Sequence, residues 1–193
     1  QHLTSSINLK MNVLKYLLIA IIFVTSIVSC NDRNKNRKLP ISKKELDEIL
    51  IDANKLQIAY DTQRVVSFIR LNKWDMERTK TGIWYQILDS GDGPKINEGD
   101  LVALTFSVHL LSGELCYSSA KTGAKTFKVS RGGVESGLEE GVLLLHGGDS
   151  ARFIMPQYMA HHLLGDGDKI PPLSTIIYHL RVVELISVGK DNN

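Results

Sequence analysis

Paired histidines, paired carboxylates, an aspartate-rich turn and a lone thiol are the residues of this 193-residue chain whose types suggest chemistry. His161 and His162 raise a metal site, but adjacent histidines on a strand or loop point apart, and no carboxylate stands at ligand spacing. Asp166-Gly167-Asp168 is too short for a calcium loop, which takes about 12 residues with ligands at fixed steps, and it reads as a turn. Glu139 and Glu140 could work as an acid–base pair; their place in the first turn of a short helix, where the helix dipole favours acids, accounts for them without it. Cys116 has no base beside it in the sequence and reads as a buried or rim thiol rather than a nucleophile. The only other cysteine, Cys30, lies in so different a context that no disulfide is expected, and two cysteines cannot build a structural zinc site. Neither a metal nor a cofactor is expected.

The elements that must position these residues follow from periodicity. Ser42-Lys-Lys-Glu45 has the form of a capping box, and Leu46, Ile49, Leu50, Ala53, Leu56, Tyr60, Val65, Val66 and Ile69 recur at helical spacing, predicting a helix to about Asn72. Its apolar stripe must pack on the following domain or on the same helix of a second copy. After Trp74 the period switches to alternation. Strands are predicted at 82–88, 101–110, 115–117, 126–129, 150–155 and 174–186, with turns at Gly91–Pro94 and Ser112-Gly113. One short helix, 137–145, interrupts them. A short helix laid across an antiparallel sheet is an α+β architecture.

Composition narrows the function. Hydrophobic residues make up 43% and charged residues 23%, ordinary for a globular core. The net charge is +2 with acids interleaved among the bases, so there is no concentrated basic face for nucleic acid.

The amino-terminal residues read as an address. Residues 1–10 precede the first methionine and are read as upstream read-through, with Met11 as the start. Lys15, the apolar run 16–24 and Ser29 before Cys30 make a secretory signal over 11–29, with a run too short for a span of about 20 apolar residues. Ile27-Val28-Ser29-Cys30 resembles a bacterial lipobox, which implies acylation of Cys30 and attachment to a lipid bilayer. The polar stretch after it cannot bury apolar surface and reads, to residue 41, as a tether. No acidic run follows the cysteine, which favours a periplasm-facing anchor.

Two motifs then carry a family resemblance. Gly137-Leu-Glu-Glu-Gly-Val-Leu-Leu-Leu145 with Gly148-Asp-Ser-Ala-Arg-Phe-Ile-Met-Pro156, and Ile170-Pro171-Pro172-Leu-Ser-Thr-Ile-Ile-Tyr178, resemble the signatures of FKBP-type peptidyl-prolyl cis-trans isomerases. Gly91-Asp-Gly93, Gly99-Asp100 and Tyr117-Ser-Ser119 fall in the family's order. Trp74-Asp-Met76 before Thr81-Gly82, with the lipobox, resembles the gliding-motility-associated lipoprotein branch of Bacteroidetes-type bacteria. The resemblance implies an FKBP-like antiparallel sheet curved around one short helix, over 81–188, preceded by a helical arm over 42–80 and followed by a tail, 189–193.

The resemblance also implies roles. Phe106, Phe127 and Tyr178 become walls of a proline pocket, Leu138 its floor and Val134 its rim. Glu135 offers its main-chain N–H to a substrate carbonyl, although its side chain is charged where the family has an apolar residue. Cys116 stands at an aromatic wall position, Tyr117 where an aspartate is usual, and His161 where a tyrosine hydroxyl donates; an imidazole N–H can donate too. Ile170 is counted among the substrate-contacting residues. The implied function is isomerisation of X–Pro bonds in exported polypeptides, with proline-containing chains and the bilayer as partners and no nucleic acid. A proline-peptide-binding chaperone and a lipoprotein subunit of a motility or secretion machine are the alternatives.

Overall fold

The structure is a computed structural model that describes residues 41–187. The residues read above as leader and as tether up to residue 40, with Cys30 between them, and residues 188–193 lie outside the described residues. The chain divides into two units, Gln1–Leu50 and Ile51–Asn193. In order, α1 (Lys43–Asn72) precedes β1 (Glu77–Arg78), β2 (Trp84–Asp89), β3 (Leu101–Leu110) and β4 (Leu115–Ser118). A single-turn α2 (Ser119–Thr122), β5 (Lys125–Lys128), α3 (Ser136–Val142), β6 (Ser150–Met155), a 3-10 turn at Gln157–Met159 and β7 (Ile176–Ile186) follow. This is the α+β arrangement that the switch in periodicity predicts. The two-residue β1, the four-residue α2 and the 3-10 turn are too short to leave a periodic signal.

Ser42 opens α1 as expected: its Oγ accepts from the Glu45 N–H at 3.2 Å and its carbonyl from the Leu46 N–H at 3.0 Å. The helix ends in a Schellman motif. Lys73 takes a left-handed conformation, φ 53°, and its N–H donates to Arg70 O at 3.2 Å. The Trp74 N–H donates to Ile69 O at 3.1 Å, and the Trp74 ring packs edge-on against Phe68 at 5.2 Å. That contact brings the end of α1 onto the sheet, where Val65, Phe68, Ile69 and Trp74 cluster with Ile154 and Ile177. The alternative on which the apolar stripe packs on its own domain therefore holds for its last turns. Ile51, Leu56 and Tyr60 remain exposed.

All seven strands join one antiparallel sheet in the order β1-β2-β6-β7-β3-β4, with β5 also paired to β3. The main core lies between this sheet and α3, and Leu104, Leu138, Val142, Phe153 and Tyr178 are fully buried in it. Each buried side chain of this size contributes about 1.5–3 kcal/mol of transfer free energy. Helix α3 can lie close because of its glycines: a Cβ on Gly137 would come within 2.8 Å of Met159 O, and one on Gly141 within 3.0 Å of the Phe153 ring.

The strands around β3 set the site. β5 pairs with its first half (Leu101–Leu104) and β4 with its second (Ser107–His109), leaving Thr105 and Phe106 between them. There the Phe106 N–H donates instead to Ser119 Oγ of α2 at 2.9 Å.

Candidate active site

Phe106 on β3 and Tyr178 on β7 are aromatic residues of adjacent strands, with ring centroids 5.9 Å apart and planes tilted by 36°. A cavity of about 340 Å³ opens over them, lined also by Val108, Tyr117, Thr122, Lys125, Glu135, His161 and Asp166. Apolar faces form one side of it, and polar atoms gather at two others.

The first polar group centres on Glu135, at the start of α3, whose side chain is only 10% exposed. Its Oε1 accepts from the Tyr178 hydroxyl at 2.8 Å, and its Oε2 from Lys125 Nζ at 3.3 Å. Lys125 Nζ also donates to the Tyr178 hydroxyl at 2.9 Å. Its ammonium lies 5.2 Å from the Phe106 ring centroid, in cation–π range of that ring. His161 Nε2 is buried 3.3 Å from Glu135 Oε1, off the axis of a straight hydrogen bond. Burial alone would raise the Glu135 carboxyl, but Lys125, the residue's own main-chain N–H, Tyr178 and His161 together hold it below its usual range. The same burial and the neighbouring carboxylate push the Tyr178 hydroxyl far up, so it stays protonated and donating.

The second polar group fixes the loop that follows β6. The Tyr117 hydroxyl donates to Asp166 Oδ2 and reaches Asp168 Oδ2 at 3.2 Å, and the bond to Asp166 is the main cause that raises its pKa. Asp166 Oδ1 accepts from the Asp168 N–H at 2.9 Å and the Ile170 N–H at 2.8 Å, the local turn that Asp residues favour. Burial pushes this carboxyl up, but Tyr117 and the two main-chain donors outweigh it and hold it low.

Five of the residues named from sequence, Phe106, Tyr117, Glu135, His161 and Tyr178, thus line one cavity. Phe127, Leu138, Cys116 and Ile170 are buried in the core behind it. Val134 lines a separate surface hollow with Ser130, Glu139 and Leu143. Sequence reasoning did not name Val108, Thr122 or Lys125, and read Asp166 only as part of a turn. Strand alternation signals two of them: Val108 follows Phe106, and Lys125 precedes Phe127, by two residues on the same face. Among the other chemistry-bearing groups, Glu140 accepts from Thr81 Oγ1 and Glu139 from the Ser130 N–H, tying down flanking loops. His162 is exposed while His161 faces the cavity. Burial raises the Cys116 thiol, helped by Glu114 and Asp166, away from the reactive thiolate.

A short helix on an antiparallel sheet, with an aromatic cavity bordered by the loop that follows β6, defines the class, and comparison with known proteins agrees with it. The profile of the FKBP-type peptidyl-prolyl cis-trans isomerases matches residues 93–183. "FK506-binding protein 2" of Dictyostelium discoideum is 34% identical over 96 residues, 49% of this chain and 70% of the relative. A protein of Neisseria meningitidis serogroup B described as "Probable FKBP-type peptidyl-prolyl cis-trans isomerase FkpA" is 30% identical over 146 residues, 74% of this chain and 52% of the relative. The crystal structure of FkpA from Escherichia coli superposes with a TM-score of 0.58 at 20% identity, over 91% of this chain and 83% of that one, a likeness of fold. The chain belongs to the FKBP-type peptidyl-prolyl cis-trans isomerase family. It spans about half the length of the first bacterial relatives it matches.

Proposed function

We propose that this chain catalyses cis–trans isomerisation of X–Pro bonds in polypeptides exported to a bacterial envelope, anchored there through Cys30. The observation that carries the reading is the cavity itself, walled by the tilted pair Phe106 and Tyr178 with hydrogen-bond donors gathered at one end. Resonance sets a barrier of about 18–20 kcal/mol for this bond, and no nucleophile or metal is needed to lower it. A dry aromatic seat disfavours the dipolar planar amide relative to the twisted one, so the site binds the transition state better than the ground state. In this scheme Phe106 and Tyr178 hold the proline ring, and Phe127, Leu138, Cys116 and Ile170 support the seat from the core. Val134 lines the separate hollow outside the seat, Tyr117 fixes the loop that follows β6, His161 donates to substrate, and the Glu135 main-chain N–H meets a substrate carbonyl.

The organisation that goes with this function is a leader to residue 29, a lipidated Cys30 and tether to 41, a helical arm over 42–80 and the isomerase domain over 81–188, with a short tail. The lipobox-like Ile27–Cys30 supports a periplasm-facing lipid anchor. Trp74-Asp-Met76 together with that motif supports the gliding-motility branch, with clients drawn from a motility or secretion machine. The exposed Ile51, Leu56 and Tyr60 of α1 suit pairing with a second copy. A second reading, a chaperone that holds proline segments with little turnover, draws on the carboxylate of Glu135 inside the cavity.

Refolding of a reporter limited by one X–Pro bond tests the function. The slow phase takes tens to hundreds of seconds unaided. The chain at micromolar concentration is expected to shorten it at least several-fold, and Phe106→Ala to lose about tenfold of that effect, equivalent to about 1.4 kcal/mol. A slow phase unchanged by the parent chain would overturn the isomerase reading.

A further inference from the structure

The side-chain donors at the polar end of the cavity converge on one acceptor that belongs to the protein, with Tyr178 and Lys125 bonded to it and His161 close by. The Tyr178 hydroxyl donates to Glu135 Oε1 and Lys125 Nζ to Glu135 Oε2, while His161 Nε2 lies 3.3 Å from Oε1. At 10% exposure this carboxylate has little water to return to, and the bonds from Tyr178 and Lys125 replace part of its hydration. The Lys125 ammonium that it helps to hold lies 5.2 Å from the Phe106 ring centroid, beside a surface on which a proline ring would stack.

A neutral peptide entering this site meets donors already engaged by a charged acceptor, and charge-assisted hydrogen bonds are about twice as strong as neutral ones. To gain them, a substrate carbonyl must displace the carboxylate. We propose that Glu135 is a specificity-determining residue, an internal stand-in for the substrate's carbonyl that must leave the donor cluster before an X–Pro segment can seat. The inference rests on the isomerase reading of the same cavity. It places the effect on binding: displacement is a cost met once, on forming the complex, so it appears in KM rather than in kcat. An apolar side chain at position 135 keeps the main-chain N–H and frees all the donors.

The test uses the full chain with Glu135→Leu and Glu135→Gln and a neutral Leu-Pro peptide. Affinity is read by NMR titration of the protein amides, and KM and kcat by exchange kinetics. Glu135→Leu is expected to bind about three- to tenfold tighter, with KM falling in step and kcat changing less than twofold. Glu135→Gln, which keeps the shape but loses the charge, is expected to fall between the two. Unchanged or weaker binding by Glu135→Leu, with an amide spectrum that reports an intact fold, would overturn the proposal while leaving the isomerase reading standing. Tighter binding by Glu135→Leu alongside no turnover in any of the three proteins would support the stand-in and overturn the isomerase reading.

Discussion

His179 carries a pH dependence that can be read from its neighbours. It stands on the face of the sheet opposite the main core, with the Trp74 ring edge-on at 6.0 Å and His109 at 5.6 Å. The Arg152 guanidinium lies beside it, stacked 3.6 Å from the Trp74 ring centroid. Burial, then Arg152, then His109 disfavour its charged form and lower its pKa from 6.5 to about 4. The unfolded chain therefore binds the extra proton first. The stability due to the neutral imidazole is complete above about pH 6.5, is lost as pH falls toward about 4, and changes no further below that. The shift would give at most about 3 kcal/mol, and solvent screening of a half-exposed ring reduces this to about 1–2 kcal/mol. Urea unfolding of parent and His179→Phe at pH 6.5 and pH 4 checks it. The parent is expected to lose about 1–2 kcal/mol more than the variant across that interval; equal losses would contradict the assignment.

At the scale of elements, the site depends on how closely α3 approaches the turn after β6. Gly137 faces the Met159 carbonyl, and Met159 precedes His161 by two residues on the same turn. A Cβ at 137 would lie 2.8 Å from that carbonyl and 2.9 Å from Met155 Sδ, so the main chain must shift. Gly137→Ala is expected to cost about 1–3 kcal/mol in urea unfolding and to move His161 away from Glu135. An undiminished stability would contradict the close packing of α3 on this turn. Much of this level was legible in the sequence. The bounds of β3 and β6 follow from alternation and flanking turn residues, and those of α1 from its capping serine and stripe. The donor cluster was not legible. His161 is separated in sequence from Lys125 and Glu135 by the whole of α3 and β6, and no local period marks side chains that meet only through tertiary packing. The charged Glu135 was visible as a departure from the family pattern, but not that it turns inward to bond Tyr178.

At the scale of the molecule, catalysis and location are separable. The family of the domain rests on the match over residues 93–183 and on relatives that cover the same region. The anchor rests on four residues of sequence, Ile27–Cys30, outside the described structure. Replacing Cys30 with serine is expected to release the protein from the membrane fraction and abolish incorporation of labelled fatty acid, with isomerase activity retained. Membrane association that survives the change would contradict the anchor. Helix α1 joins the two scales: its last turns pack on the sheet, while Ile51, Leu56 and Tyr60 are exposed, as the proposed pairing with a second copy requires. Light scattering of the chain, with Leu56→Glu as the variant expected to disfavour pairing, decides between monomer and dimer.

The central claim is that the cavity over Phe106 and Tyr178 turns over X–Pro bonds, and exchange spectroscopy tests it most directly. A proline peptide is observed by NMR at equilibrium, with its cis and trans signals resolved, while the chain is added at a small fraction of the peptide concentration. The predicted result is exchange broadening and cross-peaks between the two isomers in the presence of the parent chain, greatly reduced with Phe106→Ala. Signals that stay sharp and unexchanged at all protein concentrations, with the fold intact, would contradict it.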